Sequence, residues 1–330
     1  MRRRSLLLST LAAPTTLVAP PGRPACAQAG GAAATWPARQ LRLVVPYPPG
    51  GAPDAFGRRL AERLTAALGQ PVLVENRTGA GGLIGMDLVA KAPPDGYLLG
   101  VGGIAPHAVG PAVHRAVPYD PLRDFAQLAL LAEFPLALGA SAEGPYRDFG
   151  DLLAAARRTP GGVRVGTPGT GTSAHASLEL LRRLAGVELV HVPFRGTPQV
   201  LPELLAGRLD ATLAVTGEFA GNDRVRVLAV AAPERMAGLP AVPTFRERGV
   251  DLVTTVWFTL CAPAGLSEAV AERLHRETQT VLVEPGTAAL MVRLGAVPTR
   301  GLGRAELAAF VAAEAARWGE VVRAAGIRAE

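Results

Sequence analysis

The residues of this chain best able to do chemistry lie in three glycine-rich loops: Pro-Tyr-Pro-Pro-Gly-Gly-Ala-Pro-Asp at 46–54, Gly-Ala-Gly-Gly at 79–82 and Gly-Thr-Pro-Gly-Thr-Gly-Thr-Ser-Ala-His at 166–175. Each follows a predicted strand and precedes a predicted helix, the place where parallel α/β sheets hold ligands. Backbone N–H groups at a helix N-terminus, backed by the helix dipole, favour a carboxylate or phosphate without any basic side chain. The chemistry these loops offer is therefore the binding of a small anion. No nucleotide motif accompanies it: the third loop lacks the Lys-Ser/Thr of a P-loop and has no dinucleotide-binding spacing.

Individual side chains have plainer roles beside the sharper ones. Asp54 and either Thr172 or Ser173 can cap the helices they precede, worth about 1 kcal/mol each; Asp54 can equally contact a ligand. His175 opens a helix just after the third loop and can point at a guest or serve the fold. The five histidines, at 107, 114, 175, 191 and 275, show no metal-ligand spacing, and no HExxH or CxxC occurs. No metal and no cofactor are expected. An esterase or amidase would need Ser173, His175 and Asp54 brought together, but the G-x-S-x-G elbow is absent, so the chain is not expected to be an enzyme.

Alternating short strands and helices must position these loops. Strands are predicted at 41–45, 72–75 and 97–101, with a helix after the first loop whose Phe56, Leu60, Leu64 and Leu68 recur every four residues and which stops at Gly69, and another helix over 83–90. A second run begins near Asp148: a helix to Arg158, strand 163–167, a helix to Ala185, strand 187–192, helix 198–206, strand 211–215 and strand 226–231. From Trp257 a strand and two longer helices follow, 267–283 and 304–325, the last with Leu307, Phe310, Val311, Trp318 and Val322 on one face, expected to pack back on the first run. The fold class is α/β, with two lobes, largely parallel sheets and a hinge. The expected boundaries are 30–140 plus 258–330 for a discontinuous first lobe and 141–257 for the second; the chain crosses twice, near 140 and near 257.

With 330 residues, 49% of them hydrophobic, the chain can bury a substantial core. Residues 1–29 read as an export signal: Arg2, Arg3 and Arg4, a short apolar stretch to Val18, then small-residue cleavage patterns around Cys26. The arginines leave a twin-arginine route open, although no complete motif follows them. Loss of this segment takes four arginines and no acids, reducing the formal charge from +6 to +2. The remaining arginines are scattered along helices without interleaved aromatics, which argues against nucleic acid. Cys261 is left as the mature chain's cysteine, in an apolar run where it reads as a small core residue.

Longer stretches carry a resemblance. Leu43-Val-Val-Pro-Tyr-Pro-Pro-Gly-Gly51 with Asp54, Val74-Glu-Asn-Arg77, Gly79–Gly82, Pro94-Asp-Gly-Tyr97, Val117-Pro-Tyr-Asp-Pro121, His191-Val-Pro-Phe-Arg-Gly196, Pro240-Ala-Val-Pro-Thr244 and Trp257-Phe resemble the Bug-type (TctC) substrate-binding receptors of tripartite tricarboxylate transporters, from about Trp36 to Ile327. The resemblance implies an α/β fold like that of a periplasmic binding protein, and a periplasmic, monomeric receptor that closes on a carboxylate between two lobes and delivers it to transporter membrane subunits. It also implies ligand contacts from Pro48, Gly50, Gly51 and Asp54, from Gly102 to Ile104, from Gly169, Thr170, Thr172, Ser173 and His175, and from Arg195, Gly196 and Thr216. The chain departs from the pattern at Pro53, which has no N–H to give, at Pro106-His107, and in a shortened 216–224 stretch. A periplasmic sensory co-receptor is the second reading, and a hydrolase the third.

Overall fold

The computed structural model describes residues 36–194, 196–219, 221–297 and 299–328. The predicted export signal therefore lies outside the described residues, as does Arg195. Strand β1 (Leu41–Val45) leads into helix α1 (Ala52–Leu68), whose Phe56, Leu60 and Leu64 are buried and which ends where Gly69 takes a left-handed conformation. Strand β2 (Val72–Asn76), helix α2 (Leu83–Ala90) and strand β3 (Leu98–Gly103) follow, and β1 pairs in parallel with both β2 and β3. A π-helical turn at Ala105–Val109 runs into the short helix α3 (Gly110–Val113).

Strand β4 (Phe125–Ser141) is the central element, and the sequence reading assigns nothing to it. Its residues are buried almost without interruption, so it shows no alternation to betray a strand. Beyond it come α4 (Phe149–Arg158), β5 (Val163–Thr167), α5 (Ser173–Ala185), β6 (Leu189–Pro193), α6 (Thr197–Leu205), β7 (Ala211–Val215) and β8 (Val225–Val230). Strand β9 (Thr255–Pro263) and helices α7 (Glu268–Val283), α8 (Pro285–Arg293) and α9 (Arg304–Ala324) complete the chain.

The nine strands form a mixed sheet in the order β2-β1-β3-β9-β4-β7-β5-β6, with β8 also on β4. Parallel pairing is confined to the two ends, β2-β1-β3 and β6-β5-β7. In the middle, β3-β9, β9-β4, β4-β7 and β4-β8 are all antiparallel. This is the α/β binding-protein architecture expected, with a more antiparallel centre than the alternating pattern suggests.

Strand β4 serves both ends in turn. Phe125 to Pro135 pair with β9, and Leu136 to Ser141 pair with β7 and β8. At the change of partner three segments close a ring of backbone hydrogen bonds: the N–H of Leu136 donates to Thr254 O (3.3 Å), that of Thr254 to Ala231 O (2.9 Å), and that of Ala231 to Leu136 O (2.7 Å). Pro135, with no N–H to place, sits at this junction.

Helix α7 packs on α1 through Val270, Leu274 and Val281, in the core that holds Leu60 and Leu64. Helix α9 does not return to the first run alone: Leu307, Val311, Trp318 and Val322 share a core with Val109 and Val113 on one side and with Leu178 and Leu181 of α5 on the other. It is pinned by Glu314, whose Oε2 accepts the indole N–H of Trp257 at 3.0 Å and of Trp318 at 2.9 Å. Cys261 is buried in β9, its Sγ 3.4 Å from Gly100 O, and burial pushes its thiol up to about 12. No helix among the described residues is long and apolar enough to cross a membrane.

Glu314→Leu strands two buried indole donors at about 1–3 kcal/mol each. We expect it to lower unfolding free energy by about 2–4 kcal/mol in urea titrations, and Glu314→Gln, which keeps an acceptor, to cost roughly half as much.

Candidate functional site

A cavity of about 550 Å³ opens where the loop after β1, the 80–81 turn, the π-helical turn, the loop after β5 and the end of β7 converge. Its floor is apolar and comes from the sheet: Leu136 of β4, Ala214 and Val215 of β7, Val256 and Phe258 of β9. Alternation along β4 and β9 turns Glu133, Pro135 and Thr255 to the opposite face, where they line a second cavity of about 520 Å³ with Arg300, Phe310 and Arg317. Glu133 there accepts both guanidinium donors of Arg300, at 2.9 and 3.0 Å.

The polar wall of the first cavity is the 168–174 loop, and all seven of its residues line it. The local chemistry builds this wall. Thr172 is the N-cap of α5, its hydroxyl accepting the His175 N–H at 3.2 Å and donating to Gly169 O at 2.8 Å. Gly171 turns the chain at φ +74°, a conformation that needs glycine, and a side chain there would press on Val113. These bonds leave the N–H groups of Thr170, Ser173 and Ala174 without an acceptor among the described residues. These donors, Ser173 and Ala174 in the first turn of the 13-residue helix α5 and Thr170 just before its cap, belong to residues that line the cavity, an arrangement that suits a carboxylate.

Of the residues predicted as ligand contacts, Ile104, Gly169, Thr170, Thr172 and Ser173 line this cavity. The other predicted contacts among the described residues do not line it. Pro48, Gly50 and Gly51 are exposed on the loop after β1. Asp54 is buried in the first turn of α1, where Gly51, not Asp54, is the N-cap. Its carboxylate accepts from Gly50 N–H at 2.9 Å, Arg58 Nε at 3.0 Å and Asn76 Nδ2 at 2.9 Å, so it braces the loop from behind. Burial works against its charge, yet the bonds from Arg58, Gly50 and Asn76 together hold its pKa below the usual carboxylate value.

Gly102 is sealed within β3, where a Cβ would come within 2.6 Å of His107 and 2.8 Å of Thr259. Gly196 donates its N–H to Pro168 O at 2.9 Å, steadying the loop from below. Thr216 turns its hydroxyl to Gly295 O at 2.9 Å, and next to it Gly217 lies so close that a Cβ would fall 2.1 Å from Leu294 O. His175 stands behind the loop, Nδ1 accepting the Gly171 N–H at 3.1 Å.

Several lining residues escape the sequence reading. Tyr47 and Phe258 meet edge to face, centroids 5.5 Å apart, and with Leu136 and Val256 they read as ordinary core. Val113, His114 and Glu218 also line the cavity. The Pro-Tyr-Pro and Trp-Phe stretches were the signals available for Tyr47 and Phe258. Pro53 lines the cavity too and brings no donor to it.

Comparisons agree with this geometry. A profile described as "Tripartite tricarboxylate transporter family receptor" matches residues 56–327. The protein BugT of Bordetella pertussis is 33% identical over 306 residues, 89% of this chain and 91% of that one. Among solved structures, Rpa4515 of R. palustris with adipate superposes with a TM-score of 0.79 at 33% identity, covering 89% of this chain and 99% of that one. MatC (Rpa3494) from Rhodopseudomonas palustris with bound malate gives a TM-score of 0.75 at 32% identity over 87% of this chain and 100% of that one.

Asp54→Asn removes the charge that anchors the loop. Because the folded-state pKa is lowered, its stabilisation is present above the ordinary carboxylate value of 3.8 and lost as pH falls through the folded value. We expect the melting temperature of Asp54→Asn to lie below that of the wild type at pH 7 and the gap to shrink as pH falls below about 4.

Proposed function

Because the chain belongs to the tripartite tricarboxylate transporter family of receptors, and Bug-type proteins match it over most of its length, we propose that it is a periplasmic solute-binding receptor for a small organic acid. In this reading residues 1–29 direct export, and the mature monomer hands its ligand to the membrane subunits of a tripartite tricarboxylate-type transporter. The observation that carries the ligand class is the set of N–H groups of Thr170, Ser173 and Ala174, without an acceptor among the described residues, in a loop that lines a cavity with an apolar floor. A carboxylate satisfies such donors, and the floor receives the carbon skeleton. The relatives that hold adipate and malate support the same class.

The mechanism follows from the crossing of the chain. Residues 30–140 with 258–330 form one lobe and 141–257 the other, and the junction at Leu136, Ala231 and Thr254 acts as the hinge. In the open form the loop amides are hydrated. A carboxylate that bonds to the 168–174 loop while its body rests on Tyr47, Ile104 and Phe258 touches both sides, so it favours the closed form by its differential contacts. The membrane subunits recognise that closed form. The family consists of receptors, and catalysis plays no part in this cycle.

A thermal-shift screen of residues 30–330 against mono-, di- and tricarboxylates, with uncharged controls, tests the reading. At 100 times its dissociation constant a ligand adds about 2.7 kcal/mol of stability. We expect adipate-like or malate-like acids to raise the melting temperature; a response to neutral compounds with none to any acid would overturn the carboxylate assignment.

A further inference from the structure

The two sides of the cavity are held by the same small device. On the first side the N–H of Gly103 donates to Nδ1 of His107 at 3.3 Å; on the second the N–H of Gly171 donates to Nδ1 of His175 at 3.1 Å. In each case the histidine lies four residues beyond the glycine, and residues between them line the cavity. An Nδ1 that accepts an N–H carries no proton, so both rings are neutral in this arrangement, with the hydrogen on Nε2.

Their surroundings differ. His107 is sealed beside Phe125 and Trp257, and burial lowers its pKa to about 4. His175 stacks face to face on His191 of β6, ring centroids 3.9 Å apart and planes 15° from parallel. His191 Nε2 is 2.6 Å from the Thr167 hydroxyl, which in turn accepts the Gly169 N–H at 3.4 Å. The stack thus reaches the 168–174 loop at two points, Gly171 through His175 and Gly169 through Thr167.

The charged groups acting on the pair are Glu179, whose carboxylate is 3.8 Å from His175 Nε2, and Arg182, itself bonded to Glu179. Among the described residues the other contacts here are neutral: β5 brings Thr167, α3 brings Val113 against Gly171, and α9 brings Val321, Ala324 and Ala325 beside Glu179 and Arg182.

We propose that His175 is a positioning residue of the binding cleft: its neutral ring, clamped against His191, holds the Thr170–Ala174 amides in the geometry that receives the ligand. This rests on the cleft being the ligand site. A proton on Nδ1 would set a donor against the Gly171 donor, and the loop would have to release. A second proton on the stack would place two imidazolium rings 3.9 Å apart. Burial is the chief influence lowering both values, His191 to about 4, with the partner ring adding to the effect on His191. The sign follows: the clamp is intact at neutral pH, persists below the ordinary histidine value of 6.5, and opens only as pH falls through the pair's lowered values.

Two variants of the full chain separate the roles of His175. His175→Gln supplies an acceptor that does not titrate; His175→Leu keeps bulk and supplies none. With adipate as probe in calorimetry at pH 7.5, we expect His175→Gln within about threefold of the wild type and His175→Leu weaker by about tenfold, the loss of one hydrogen bond. Wild-type affinity should fall relative to His175→Gln as pH drops from 7 to 4.5, a ratio from which adipate's own titration cancels. In the ligand-free wild type, the Gly171 amide resonance should move with the histidine titration. Wild-type binding by a folded His175→Leu, or a Gly171 amide that ignores the titration, overturns the proposal. If adipate binds none of the three proteins, the ligand for the cleft has been misassigned, and the Gly171 amide alone decides whether the clamp exists.

Discussion

Leu136, Ala231 and Thr254 each give one backbone N–H and take one, closing a ring where the chain passes between the two ends of the sheet. Everything on either side is arranged around that crossing. Strand β4 changes partners there, and Pro135, which has no N–H to give, is the last residue in register with β9 before Leu136 pairs with β7. The cavity floor begins at the same junction: Leu136 belongs to both, and Val256, two residues beyond Thr254, lies beside it in the floor. The floor of the cavity and the connection between the ends therefore meet at Leu136.

The site is made mainly of backbone. Its donors are amides in the first turn of α5 and in the loop just before it, and the side chains around them are occupied in holding those amides still: Thr172 as a cap, His175 as an acceptor, Thr167 as a relay to His191. Asp54 does comparable work for the loop after β1. Such a site places its cost in preorganisation. Fixed dipoles need no reorganisation when an anion arrives, and selectivity among anions falls to the shape of the apolar floor. Pro53, which subtracts a donor from the opposite wall, shifts the balance further toward the 168–174 loop.

Much of this was legible in the sequence, and the gaps have physical reasons. β1, β5 and β7 coincide with their predicted spans because each is a short apolar run bounded by turn residues. Helix α1 is legible from its four-residue spacing and its glycine stop. β4 is invisible because burial on both faces erases the period of two, and its Leu-Ala-rich stretch looks as helical as it is extended. The third glycine loop declared itself, but the His175–His191 stack depends on β6 lying beside β5, a contact between residues sixteen apart that no local pattern encodes. Gly102, Gly196 and Thr216 stand among the expected contacts on the resemblance alone, and the bonds and close packing they make with the fold are tertiary contacts that no local pattern displays.

The position of β9 also bears on how the chain reaches this structure. Thr255–Pro263 inserts between β3 and β4, two strands that precede it by more than a hundred residues. Until that segment is available, β3 and β4 each present an open edge, and the first end of the sheet is three parallel strands with no closure. Sheet completion is therefore a late, long-range event, and loop-closure entropy makes such topologies slow to fold. During synthesis the sheet cannot be completed before residues 255–263 have been made, a delay written into strand order and not into any one residue.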